Sequence, residues 1–165
     1  MLNLAAGRFI VRGGMTEQDD RKGLVRHHLR IGWWGLLFFL LLGSVLEALH
    51  GFKIGWYLNV SSETRRLMFT LSHAHGTLFS LVHVAFAATL FLRERPIDGR
   101  CRLAGSCLTG GLILLPGGFF LGGLYIYSGD PGQGVLLAPL GALLMFIGVF
   151  ATATGLGRET PKSEK

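Results

Sequence analysis

Long apolar runs alternate with short charged ones along this chain. The runs at 31–49, 67–92, 103–127 and 135–156 are nearly free of charge, and each is long enough to cross a bilayer as a helix, which takes about 20 residues. Barrel strands would be shorter and would alternate apolar with polar positions. A helix also satisfies its own backbone, which lipid cannot do. The pattern therefore predicts an all-α chain, an integral membrane four-helix bundle in one domain at 31–156. A basic segment at 1–30 precedes it and a polar tail at 157–165 follows.

Charge adds a direction to this picture. Only 16% of residues are charged, against about 25% in soluble domains. The net charge of +6 would suit a nucleic acid if the cations shared one surface, but they gather at 8–30, 93–102 and 158–165, which flank helix ends. Nucleic acid is excluded on that ground, and the expected partner is the lipid bilayer. The positive-inside bias puts the N-terminus, the loop between the second and third helices and the C-terminus in the cytoplasm. The expected setting is a bacterial plasma membrane, with loops 52–63 and 129–133 outside. Arg65 and Arg66 run against the bias. Met15-Thr16-Glu17 reads as an alternative start, making 1–14 a mis-assigned extension. The first apolar run is too long for a signal-peptide core. Cys101 and Cys107 lack metal-site spacing and read as ordinary small residues.

Helical periodicity assigns faces. The first helix is expected to begin after Arg30, with Trp33 and Trp34 in an interfacial belt and His27 and His28 solvated outside it. Gly32, Gly35, Gly43, Glu47 and His50 share one side, a small-and-polar face suited to close packing. On the second helix Ser72, Gly76, Ser80 and His83 cluster, flanked by His73 and His75 on opposite sides, while Leu78, Leu81 and Ala85 face away. The third helix is rich in glycine, which reads as packing, and Pro116 should kink it. Residues 128–132, Ser-Gly-Asp-Pro-Gly, read as a tight turn.

Chemistry concentrates at the outer side. Glu47 and His50 close the first helix, and His73 and His75 open the second, so antiparallel neighbours would bring the four to one depth, with His83 about 12 Å below His75. Glu47-x-x-His50 has the i, i+3 spacing of carboxylate-bridged metal bundles. The metal candidates are thus Glu47, His50, His73 and His75. The cofactor-binding candidates are His75, His73, His50 and His83, for haem or a transition metal in a redox or electron-transfer role. Proton handling by the same cluster is a second reading. A third is structural, with Glu47 paired to Arg65, Arg66 or a histidine. Whether the chain is an enzyme stays open, and a homo-oligomer or a larger membrane complex is an expected assembly.

The stretch Arg65-Arg66-Leu67 and then Leu71-Ser72-His73-Ala74-His75-Gly76-Thr77-Leu78 resembles the second helix of small four-helix bacterial membrane proteins with a His-x-His-Gly motif. More distantly it is similar to hydroxylaminobenzene mutase, from which it departs at Ala74 and Gly76-Thr77. His-x-His near a helix end also resembles segments of haem-copper oxidase and nitric oxide reductase large subunits, which have many more helices. The resemblance covers the first two helices. It implies a role for His75 and, less directly, His73. It adds one alternative, a mutase-like isomerase acting on a small apolar molecule, while the glycine-rich third helix would serve another, a non-catalytic packing subunit of a membrane complex.

Overall fold

A computed structural model describes residues 17–59, 63–93 and 97–156. The alternative start at Met15 and the polar tail lie outside these residues. Helix α1 spans Glu17–Gly51, α2 Gly55–Leu58, α3 Glu63–Leu92, α4 Gly99–Leu124 and α5 Leu137–Leu156. A two-residue hairpin, β1 (Ile126–Tyr127) paired antiparallel with β2 (Asp130–Pro131), and a 3-10 turn at Gln133–Leu136 join α4 to α5. Ser128 and Gly129 both take positive φ, at 51° and 93°, as a two-residue hairpin turn of this hand requires.

The chain is all-α in its long elements, and four of its helices are long and apolar enough to cross a membrane. That is the make-up of a multi-pass membrane protein. The expected start of the first helix needs correcting. It begins at Glu17, not after Arg30, and its 35 residues measure about 52 Å at 1.5 Å per residue. Residues 17–30 are mostly good helix formers, and they carry their own apolar stripe, with Leu24, Val25 and Leu29 packed on the main core.

Packing proceeds in order: α1 lies on α3, α3 on α4, and α4 on α5. Glycine sets the spacing, as expected. A Cβ at Gly141 would overlap the backbone of Leu115, and one at Gly118 would sit 2.7 Å from the Ala138 nitrogen. The glycines of the third apolar run therefore serve helix contact. Pro116 is buried within α4, which stays helical through it. The main core gathers Val25, Phe79, Phe86, Leu90, Leu108, Leu112 and Met145, while Leu37, Phe38, Leu41, Phe146 and Phe150 are exposed on the outer faces.

Both ends of the described chain lie at one end of the molecule, which we call the basic end. Arg21 Nη1 donates to the Arg93 carbonyl at 2.6 Å, Arg93 Nη2 donates to the Gly155 carbonyl at 2.7 Å, and Arg102 meets Asp20 at 2.8 Å. These bonds tie the start of α1, the end of α3, the start of α4 and the end of α5. Arg65 and Arg66 have a local task at the opposite end. Arg65 donates to the carbonyls of Trp56 (2.9 Å) and Gly123 (3.2 Å), and its guanidinium lies 4.4 Å from the Trp56 ring centre. Arg66 reaches the Leu58 carbonyl at 3.2 Å. Both arginines fasten the α1–α3 connection, which explains cations on the side that the charge bias leaves poor.

Candidate functional site

His28 is not solvated. It is 1% exposed, and its partner is His83, which is 0% exposed. Their Nδ1 atoms stand 2.8 Å apart. The ring centres are 4.9 Å apart and the planes 21° apart. The nitrogens thus lie between the ring centres and aim at one another, in a hydrogen bond rather than a stack. One ring donates and the other accepts, since two N–H groups or two lone pairs could not meet so closely.

Local sequence builds this pair. His28, Gly32, Gly35, Phe39 and Gly43 recur at steps of three and four and so form one face of α1. The glycines admit α3 closely: a Cβ at Gly32 would sit 2.9 Å from the Ser80 carbonyl oxygen, and one at Gly35 would overlap the Ser80 hydroxyl. On α3 the buried row is Ser72, Gly76, Ser80 and His83, the cluster expected from the sequence. Ser80 satisfies itself on the Gly76 carbonyl at 2.7 Å. Phe86 meets the His28 ring edge-on at 4.8 Å. From α4, Gly105 leaves the room that the imidazole fills, because a Cβ there would lie 2.5 Å from His28 Nε2. His27, which is exposed, packs edge-on against His28 at 5.2 Å and connects the buried pair to the surface.

Two buried polar atoms stand out. His83 Nε2 is buried without a hydrogen bond of good geometry among the described residues, with the Leu108 backbone as its nearby polar group, and Thr77 Oγ1 is buried with no partner among them. An unpaired buried polar atom costs about 1–3 kcal/mol, and such exceptions in a folded protein call for an explanation.

The outer-side candidates do not assemble. His73 packs against Gly43 and its Nδ1 bonds the Phe39 carbonyl at 2.7 Å. Phe39 in turn lies over Gly76. This register puts His73 level with residues 39–43 of α1. Glu47 and His50 lie four and seven residues past Gly43, about 6 and 10 Å farther along the helix, and both are exposed. The equal-depth expectation fails because the glycine contacts fix the register, and they match Gly43, not Glu47, to His73. His75 bonds the Leu71 carbonyl at 2.8 Å and packs beside Phe119 of α4 at 5.4 Å. His73 thus turns to α1 and His75 to α4, so the two do not meet on one ion. Among the described residues no three His, Cys, Asp or Glu side chains group to hold a metal. Haem between His28 and His83 does not fit this arrangement either, because a 2.8 Å separation leaves no space for an iron with a bond of about 2.0 Å to each nitrogen.

His28 is the site residue that the sequence reading missed. The glycine row Gly32, Gly35, Gly43 points straight back to it, four residues before Gly32. Ending the helix at the basic stretch cut that row short.

Comparison with protein families, with curated proteins and with solved structures finds no match.

Proposed function

We propose that this chain is a proton-relay protein of a membrane, with His28 and His83 as the acid–base pair that takes up a proton at the basic end and passes it inward. The observation that carries this reading is the buried Nδ1···Nδ1 contact of 2.8 Å. Ionisable groups inside a membrane protein are costly and usually functional, and a neutral imidazole carries one donor and one acceptor nitrogen, so it can take a proton on one side and release one on the other. Exposed His27 supplies a way in from water. Beyond His83, the α3 interior face continues with Ser80, Thr77, His73 and Ser72, at steps of one to four residues, or about 1.5–6 Å of rise. Thr77 Oγ1 and His83 Nε2, both buried without a hydrogen bond of good geometry among the described residues, are points where a transient water or a rotating hydroxyl would complete the route.

The cytoplasm is the basic side in this proposal, by the positive-inside bias, and a bacterial plasma membrane is the setting implied by the resemblance. The same pair would serve as general acid and base in an isomerase acting on a small apolar molecule.

The test is proton entry into vesicles that contain the purified protein and a trapped pH dye, driven by a potassium diffusion potential. Flux above that of empty vesicles is expected, with at least a tenfold loss in His28→Asn and His83→Asn and no loss in His50→Ala. Helical content and sidedness would be matched across the variants. No flux above empty vesicles, or full flux without either histidine, overturns the relay.

A further inference from the structure

The first turns of α1 project well past the apolar run that begins at residue 31, while the apolar run of α3 continues to Leu92. The glycine register, which sets Gly35 level with Ser80 and Phe39 level with Gly76, puts Phe91 beside the Leu24–Val25 turn. A basic wall and an apolar wall therefore face the same space. It is a groove of about 490 Å³ lined by Gln18, Arg21, Lys22, Val25, Arg26, Leu29 and Phe91.

Positions 18, 21, 22, 25, 26 and 29 follow the three-and-four spacing of one helix face. Along it, Arg21, Lys22 and Arg26 supply positive charge, and Val25 and Leu29 supply an apolar floor. Lys22 and Arg26 are exposed, and Phe91 is 72% exposed. Lys22 also offers its carbonyl to Arg26 Nε at 3.3 Å, which holds the Arg26 stem along the stripe. Among the described side chains the nearby carboxylates are Asp19 and Asp20. Asp20 is engaged by Arg102 of α4 at 2.8 Å, away from the stripe, and Asp19 lies about 60° around the helix from Lys22 at 100° per residue.

We propose that this groove seats an anionic phospholipid. Its phosphate would sit on Lys22 and Arg26, with Arg21 behind, and an acyl chain would lie along Val25, Leu29 and Phe91. Charge complementarity selects the occupant: cations at the headgroup level of a membrane protein attract anionic lipid, at about 1 kcal/mol each. A soluble phosphate would use the cations and leave the apolar floor bare. A neutral lipid would use the floor and leave the cations unmatched. The proposal rests on the membrane reading and is independent of the proton relay.

The probes are phosphatidylglycerol, phosphatidylcholine and glycerol 3-phosphate, each titrated onto the delipidated full-length protein in mild detergent, with bound species counted by native mass spectrometry. Phosphatidylglycerol is expected to bind one per chain, and Lys22→Ala with Arg26→Ala to weaken it roughly thirtyfold. Arg100→Ala, an exposed cation elsewhere at the basic end, should leave it unchanged. Equal binding of phosphatidylcholine, saturation by glycerol 3-phosphate alone, or indifference to the double substitution overturns the proposal. Resistance of the native protein to alkaline extraction from membranes reports the membrane reading separately.

Discussion

A buried imidazole pair depends on both members. Removing one ring leaves a cavity and strands the facing nitrogen, so His28→Ala or His83→Ala should each cost about 2–3 kcal/mol. The double variant should cost less than the sum, with a coupling of about 1 kcal/mol or more in a double-mutant cycle followed by thermal melts. Additive losses would mean that the two rings do not bond. Gly105 is the third member by shape. Gly105→Ala puts a methyl group where His28 Nε2 lies, and overpacking of this kind costs about 1–3 kcal/mol. That should appear as a fall of several degrees in melting temperature and as reduced proton flux. His73 and His75 bond backbone carbonyls on different sides of α3, and replacing either should change flux less than replacing His83.

Helix ends decide how much of this was legible in the chain. The apolar runs at 31–49 and 67–92 marked two of the helices, and the Ser72–Gly76–Ser80–His83 face was readable from its period. The extension of α1 back to Glu17 was hidden, because charged residues at a helix end look like a loop when charge is used to bound a span. That one boundary concealed His28. The register between α1 and α3 was hidden too, since it depends on which ring fills the space over which glycine, and no one-dimensional pattern carries that. Elsewhere the element ends follow local chemistry. Asp98 caps α4 by accepting from the Cys101 N–H at 2.9 Å, and this bond holds its carboxyl below the ordinary carboxylate range. A carboxyl lowered on folding adds stability above its ordinary pKa, and that stability is lost as pH falls through the lower folded value. Asp98→Ala should therefore cost about 1 kcal/mol at pH 7. The gap from wild type should close on acidification below about pH 4. Melts at pH 7 and pH 3 check this, and a gap that widens in acid would contradict it.

The described molecule is a row of four long helices with its basic turns, its chain ends and its histidine pair at one end. If that end is cytoplasmic, a cysteine introduced at Gly129, in the hairpin turn at the other end, should react with an impermeant maleimide added outside intact cells. One at Arg100 should react only after lysis. Reaction of both from the same side would break the four-span topology. The relay draws on the same arrangement. His27 is exposed at the basic end, the pair lies just inside, and the polar row of α3 leads on between packed helices. Everything in that sequence depends on one shared proton. Nitrogen-15 magnetic resonance of histidine-labelled protein in lipid nanodiscs reads it directly. Between His28 and His83, one Nδ1 should be protonated and one bare, coupled through a hydrogen bond and exchanging with solvent as pH is varied, and the coupling should vanish in His28→Asn. Two uncoupled Nδ1 atoms in a folded protein would contradict the pair and, with it, the relay.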